Sequence, residues 1–201
     1  MDDITDTDVA ARKRALRARI VGARRLLPPD SLRSAGAAIA QQLLHIPAVT
    51  EAPVVAAYAS VGTEVPTGPF IDALHRAGTT VLLPLLESDN SLTWRAVLTA
   101  ADVTPGRHGL LEPQRDTRVR RLDDAAIVVL PGLAYDARGN RLGRGGGSYD
   151  RSLADLPATT LTVGVALDCD IIDEVPAEPH DQPVAMIVTP TRVITIDDGG
   201  H

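Results

Sequence analysis

One cysteine, Cys169, stands alone in 201 residues, so no disulfide can form within the chain and a reducing compartment is expected. By itself that thiol reads as a small buried hydrophobe rather than a nucleophile. Aromatics are nearly missing: three Tyr, one Trp and one Phe leave the core to Val, Leu, Ile and Ala. Tyr58, Tyr135 and Tyr149 fall at strand ends or in a glycine-rich segment, where a ring serves a ligand better than packing. No apolar run approaches the roughly 20 residues of a membrane span. The start of the chain, with Asp2, Asp3, Asp6 and Asp8, is unlike a signal or transit peptide, so a cytoplasmic location is expected. Lysine is scarce too: of twenty basic side chains one is Lys13 and nineteen are arginine. A lone compact ammonium suits a point contact to phosphate, although chance explains a single lysine equally well. A formal charge of −6 argues against a general nucleic-acid coat, so any anion site must be a local basic cluster.

What is present reads as α/β. Residues 8–27 have helical spacing (Val9, Leu16, Ile20, Leu27) before Pro28-Pro29, with Lys13 and Arg17 four apart on one face. Asp30 or Ser31 is the expected cap of a second helix running to about His45. Continuous apolar runs at 54–59, 79–85 and 125–130, with helical 69–77 between the first two, predict buried parallel strands. Further strands are expected at 92–98, 160–167, 184–189 and 193–196, and a helix over 147–155. The expectation is a single three-layer α/β/α domain over residues 10–196, Rossmann-like, with a mostly parallel, mixed central sheet and frayed ends at 1–9 and 197–201. Ligands of such sheets gather at the carboxyl ends of strands, where Glu64, the Gly132 turn and Asp168 would emerge.

The segment from Leu130 to Arg151 is the most informative. An apolar strand leads to Pro131-Gly132, a Gly139-Asn140 turn, and then Arg141-Leu142-Gly143-Arg144-Gly145-Gly146-Gly147-Ser148-Tyr149-Asp150-Arg151. Glycines let backbone N–H groups approach an anion, arginines supply forked donors, and a following helix offers its positive end. Asp150 could then hold the magnesium that accompanies a nucleotide, or merely cap the helix and pair with Arg151 on the surface. The generic signatures fail: no lysine follows Gly147 as a Walker loop requires, and Ser148 stands where a dinucleotide motif begun at Gly143 needs glycine.

Taken with Lys13-Arg-Ala-Leu-Arg17, Tyr58-Ala-Ser-Val-Gly-Thr-Glu64, Leu110-Leu-Glu112-Pro113, Pro131-Gly-Leu-Ala-Tyr-Asp136 and His180-Asp181, this segment resembles the 5-formyltetrahydrofolate cyclo-ligase (methenyltetrahydrofolate synthetase) family from about residue 10 to 190. The resemblance implies an ATP- and Mg2+-dependent closure of 5-formyltetrahydrofolate to 5,10-methenyltetrahydrofolate through a phosphorylated formyl intermediate, by a monomer acting on small molecules without nucleic acid or membrane. It further implies ATP contacts from Lys13, Arg14, Ala15, Leu16 and Arg17 and from Arg141, Leu142, Gly143, Arg144, Gly145, Gly146, Gly147, Ser148 and Tyr149. Arg144 and Lys13 would serve catalysis, Arg144 on the transferred phosphoryl group. Ala59 and Glu64, with residues 144–148, would receive the folate, and Asp150 and Asp181 would hold the metal.

Other readings stand beside these. From position alone Glu64 reads as an ordinary loop carboxylate and the basic face of the first helix as solvated surface. His180 beside Asp181 lacks a second His or Cys at ligand spacing, which favours hard oxygen coordination of magnesium over a transition metal. Three features depart from the family pattern: Ser148 replaces the first tyrosine of a Tyr-Tyr-Asp run, His108 a usual aromatic, and Ala185 an acidic residue. The lost tyrosine motivates a non-catalytic folate or nucleotide sensor as an alternative, and a sugar-phosphate isomerase or acyl-CoA transferase on a similar sheet is a third.

Overall fold

The computed structural model describes residues 6–105 and 111–196. The chain runs α1 (Asp6–Arg25), α2 (Pro29–Leu44), α3 (Pro47–Thr50), β1 (Val54–Ala56), α4 (Gly68–Arg76), β2 (Thr80–Leu86) and β3 (Leu92–Val97). It continues with β4 (Val103–Pro105), β5 (Leu111–Pro113), β6 (Ile127–Pro131), β7 (Ala134–Tyr135), β8 (Arg141–Leu142), α5 (Ser148–Leu153), β9 (Leu161–Val165), β10 (Met186–Val188) and β11 (Val193–Thr195). Seven strands form one sheet in the order β11-β10-β9-β6-β1-β2-β3. The five inner strands are parallel, and β11 and β3 close the edges antiparallel. A mostly parallel mixed α/β sheet is therefore what the apolar runs encoded.

The runs are continuous because both faces are covered. Along β1, β2 and β6 alternate residues enter two separate cores, while the apolar residues of β9 all enter the first. Val55, Val81, Val129 and Val163 pack with Ile39 and Leu43 of α2 and Phe70 and Leu74 of α4. Ala56, Leu82 and Val128 face Trp94, Tyr135 and Leu153 of α5. The second face is thus covered by one short helix and a hairpin rather than by a full helical layer. A third cluster joins Ile20 of α1 to Leu133, Ala134 and Leu142 of the β7–β8 hairpin, and to Val175.

Several boundaries differ from the sequence reading. Helix α1 starts at Asp6, inside the stretch expected to fray; residues 1–5 and 197–201 lie outside the described residues, as does His108. Helix α2 begins at Pro29 without a side-chain cap: proline at the first position already has helical φ and no N–H to satisfy, so Asp30 sits inside the first turn and pairs with Arg33. Strand β1 ends at Ala56, because beyond Ala57, which donates to Leu82 O at 2.9 Å, the chain bends away toward the Glu64 loop.

Strand β1 sends its first crossover to β2 on one side, while β6 pairs on the other. The crevice of a doubly wound sheet opens at such a reversal, beyond the carboxyl ends of the two strands. Here those ends carry Tyr58–Glu64 and Pro131–Leu133.

Candidate functional site

A cleft of about 400 Å³ lies there, and its walls come from five distant stretches: Lys13 and Arg17 of α1, Tyr58–Glu64, Pro84–Leu92 of β2, β3 and their turn, the Gly132 turn with Arg141–Asp150, and Glu178–Asp181. Helical periodicity selects the α1 contribution. Residues 13 and 17 share a face, whereas Arg14 and Ala15 are exposed and Leu16 packs against the third core. Of the five α1 residues expected at a nucleotide, only Lys13 and Arg17 line the cleft; Arg14, Ala15 and Leu16 do not, because the helix turns them elsewhere.

Lys13 is 6 % exposed, and its Nζ donates to Glu178 Oε2 at 2.6 Å and Asp181 Oδ2 at 2.5 Å. Desolvation works against the ammonium, but the hydrogen bonds and charges of Asp181 and Glu178 outweigh it and leave its pKa above 10.5. Arg17 Nε donates to Gly143 O at 2.8 Å. Among the described residues it makes no ion pair, which leaves its guanidinium charge available to an anion in the cleft.

The glycine segment folds as a hairpin, an open loop and a short helix. Asp136, fully buried, accepts from the N–H of Arg138 and Asn140, from Asn140 Nδ2, and from Val175 N–H. That closes the expected Gly139-Asn140 turn and ties it to the irregular segment leading to Glu178. Gly145 has φ +100°, a left-handed conformation that favours glycine, and it lies against the Arg17 guanidinium, whose Cζ would stand 3.3 Å from a Cβ there. Helix α5 starts at Ser148 with no side-chain cap. At six residues its dipole is small; what it adds is its uncapped first-turn N–H groups.

On the other wall, Glu64 is held by two donors. Arg144 Nε reaches Oε1 at 2.7 Å and Val61 N–H reaches Oε2 at 2.9 Å. The Arg144 side chain is 51 % exposed against 10 % for Glu64, so the arginine is the member free to swing. Ala59 lines the same cleft. Arg141 donates to Asp150 Oδ1 at 2.8 Å and to Pro131 O at 3.2 Å, and its Cζ lies 5.8 Å from the centre of the Tyr149 ring. Tyr149 meets Trp94 edge-on at 6.2 Å, which fixes an aromatic surface in the wall next to Ser148. Burial first, then the charge of Glu64, raises the phenol pKa of Tyr149 and of Tyr58.

Asp150 and Asp181 both line the cleft, joined through Gln182 N–H, which donates to Asp150 Oδ1 at 3.4 Å. Among the described residues, Glu178, His180 and Asp181 form a set of potential ligands whose donor atoms lie within 4.8 Å of one another. Two carboxylates with one imidazole form a mainly oxygen donor set of the kind a hard divalent cation takes, with the Lys13 ammonium now bonded to both carboxylates and Arg141 to Asp150.

Glu178 was not singled out from the sequence. Its partner Lys13 is 165 residues away, and the only local hint was its acidity next to His180-Asp181. Three expectations are corrected. Tyr135 is fully buried; its hydroxyl bonds Leu130 O at 3.1 Å and its ring fills space against Gly132 and Gly164, so it is core rather than ligand surface. Cys169 is exposed, because it sits in a turn after β9 rather than in the strand. Asp168 does not reach the cleft; it is held by the hydroxyls of Thr189 and Thr191 at 2.7 and 2.5 Å.

The sequence profile of the 5-formyltetrahydrofolate cyclo-ligase family matches residues 9–190. The 5-formyltetrahydrofolate cyclo-ligase of Escherichia coli K12 is 35 % identical over 174 residues, covering 85 % of this chain and 96 % of its own. That of Mycolicibacterium smegmatis is 36 % identical over 146 residues, covering 70 % and 75 %. The NMR structure of Aquifex aeolicus 5,10-methenyltetrahydrofolate synthetase superposes with a TM-score of 0.83 at 28 % identity, over 94 % of this chain and 95 % of that one. With these likenesses along nearly its whole length, the chain belongs to the 5-formyltetrahydrofolate cyclo-ligase family.

Proposed function

We propose that this chain closes 5-formyltetrahydrofolate to 5,10-methenyltetrahydrofolate, using ATP and releasing ADP and phosphate. The observation that carries the reading is the junction of α1 with the glycine loop: Arg17 bonded to Gly143 O at 2.8 Å brings a cation of a distant segment against the loop whose Arg144 reaches Glu64 at 2.7 Å.

The chemistry explains why both walls are needed. A formyl oxygen on N5 is a poor leaving group. Its attack on the γ-phosphorus, with departure of ADP, converts it into a phosphate ester of an iminium carbon. N10 then attacks that carbon, phosphate leaves with the former formyl oxygen, and the N10 proton is lost. In this reading Arg17 and the loop N–H groups of residues 143–147 orient the triphosphate, and Lys13 neutralises it. Arg144 follows the charge that develops on the transferred phosphoryl group. Glu64 accepts from the pterin N–H groups beside Ala59, and the Tyr149 ring bounds the folate where Ser148 leaves room. Asp150 and Asp181, with Glu178 and His180 adjoining, would hold Mg2+, which supplies charge neutralisation of the phosphates. The protein's contribution is then positioning and preorganised charge. We further read the chain as a single-domain cytoplasmic monomer acting on small molecules; no described helix is long and apolar enough to cross a membrane.

The test is direct: incubate the protein with 5-formyltetrahydrofolate, ATP and magnesium, and follow the near-ultraviolet absorbance of the methenyl product together with ADP. Stoichiometric appearance of both is expected. Tight binding of both ligands with no product would replace the reading with a sensor, as Ser148 motivates, and turnover without ATP would replace it with an isomerase or transferase.

A further inference from the structure

Helix α1 brings two cations to the cleft, yet its deepest contact lies elsewhere. Arg24 is 2 % exposed and sits eleven residues after Lys13, which at about 100° and 1.5 Å per residue puts it on the same face, some ~16 Å further along the axis. There its guanidinium donates to four acceptors. Nε and Nη2 reach Asp170 Oδ2 at 3.1 and 2.8 Å. Nη1 reaches Thr63 O at 3.2 Å, and Nη2 also reaches Gly132 O at 3.0 Å and Leu133 O at 3.3 Å. Thr63 precedes Glu64 on one wall of the cleft, and Gly132 and Leu133 belong to the other. Asp170 closes the turn after β9, its N–H donating to Leu167 O at 3.0 Å.

We propose that Arg24, oriented by Asp170, is a positioning residue for this site: it sets the rotation of α1 and spaces the Glu64 loop from the Gly132 turn, without touching substrate. The inference rests on the reading of the cleft as the place where nucleotide and folate meet. Its physical basis is the shape of the donor. Only a planar fork with five N–H groups can serve a carboxylate and three carbonyls from separate loops at once; a lysine would satisfy one or two. Stability alone is a poor reason for such a pair, since well-packed apolar residues commonly replace a buried ion pair with no loss. The orientation it imposes has no apolar substitute.

That difference supplies the test. Arg24→Met alone strands the Asp170 charge and will destabilise the fold, so the informative proteins are Arg24→Met/Asp170→Leu, which removes both charges, and Arg24→Lys, which keeps the charge but not the fork. Each is compared with wild type in thermal unfolding, in amide exchange at Val61 and Glu64, whose N–H groups close the Glu64 loop, in affinity for a non-hydrolysable ATP analogue with magnesium, and in kcat/KM. The double variant removes the ion pair but leaves the carbonyls of Thr63, Gly132 and Leu133 without this donor, so it is expected to fold with an unfolding temperature below that of wild type. Misplacement of the two walls is expected to speed exchange at both amides, and to cost about ten-fold or more in affinity and in kcat/KM; Arg24→Lys should show the same losses. Wild-type exchange, affinity and kcat/KM in a folded double variant, or in Arg24→Lys, would overturn the proposal and leave Arg24 a purely structural residue. Should the double variant not fold, Arg24→Lys decides alone. Absence of turnover in wild type would sink the proposed activity but not this inference, which the amide exchange reads independently.

Discussion

Arg144 and Glu64 have opposite assignments in the proposed reaction, one to phosphate and the other to pterin, yet they hold each other at 2.7 Å. In that reading the pair marks where the two substrates meet. A pterin that donates to Glu64 competes for the carboxylate and releases the more exposed arginine toward the phosphoryl group, so folate binding and arginine placement are linked. Arg144→Ala is accordingly expected to lower kcat by about 10²–10³, the usual effect of removing one donor from developing charge, with a much smaller change in folate affinity. Glu64→Gln should instead raise the folate KM, by roughly ten-fold or more if one hydrogen bond to a charged group is lost. Steady-state kinetics with each substrate varied separates the two, and equal wild-type rates in both variants would contradict the assignment. Lys13 adds no pH dependence near neutrality: with its pKa raised above 10.5 by Asp181 and Glu178, its ammonium persists through any ordinary assay. Its uniqueness among the basic residues drew attention from the sequence. The two carboxylates that hold it did not, because long-range pairing leaves no local signature.

At the scale of elements, strands and helices were legible because binary patterns are local. Apolar runs marked β1, β2, β6 and β9, and the i, i+4 spacing put Lys13 and Arg17 together. Less legible were features set by contact between elements. Tyr135 looked like a ligand residue because it follows a strand in the glycine segment; it is core because Gly132 and Gly164 leave its ring a slot. A Cβ at Gly132 would stand 2.5 Å from that ring and one at Gly164 2.3 Å. Gly132→Ala is therefore expected to destabilise the protein by about 1–3 kcal/mol through overpacking, seen as a lower urea midpoint. Tyr135→Phe, which loses only the bond to Leu130 O, should cost about 1 kcal/mol. If Gly132→Ala unfolds at the wild-type midpoint, the ring is not packed as described. Arg24 was equally hidden, since a basic helix face reads as solvated surface until a buried turn is found against it.

At the scale of the whole molecule, the sheet reverses its winding between β1 and β6, and the site follows from that reversal. Helix α1 lies over this end of the sheet, held at one end by Arg24 and Asp170. Burial raises the Asp170 carboxyl above 3.8 by more than the charge and hydrogen bonds of Arg24 lower it. A carboxyl raised in the folded state contributes stability that is complete below the unfolded value and is lost as pH rises through the folded one. Relative to wild type, Arg24→Met/Asp170→Leu should thus gain stability on going from pH 3.8 to neutrality in urea titrations; a relative loss would show that the ionised pair stabilises the fold outright. The claim on which everything else depends is that the cleft activates a carbonyl oxygen by phosphorylating it. The measurement that tests it most directly is a turnover with ¹⁸O in the formyl group. Recovery of the label in inorganic phosphate is expected, and methenyl product formed with the label in water and unlabelled phosphate would contradict it.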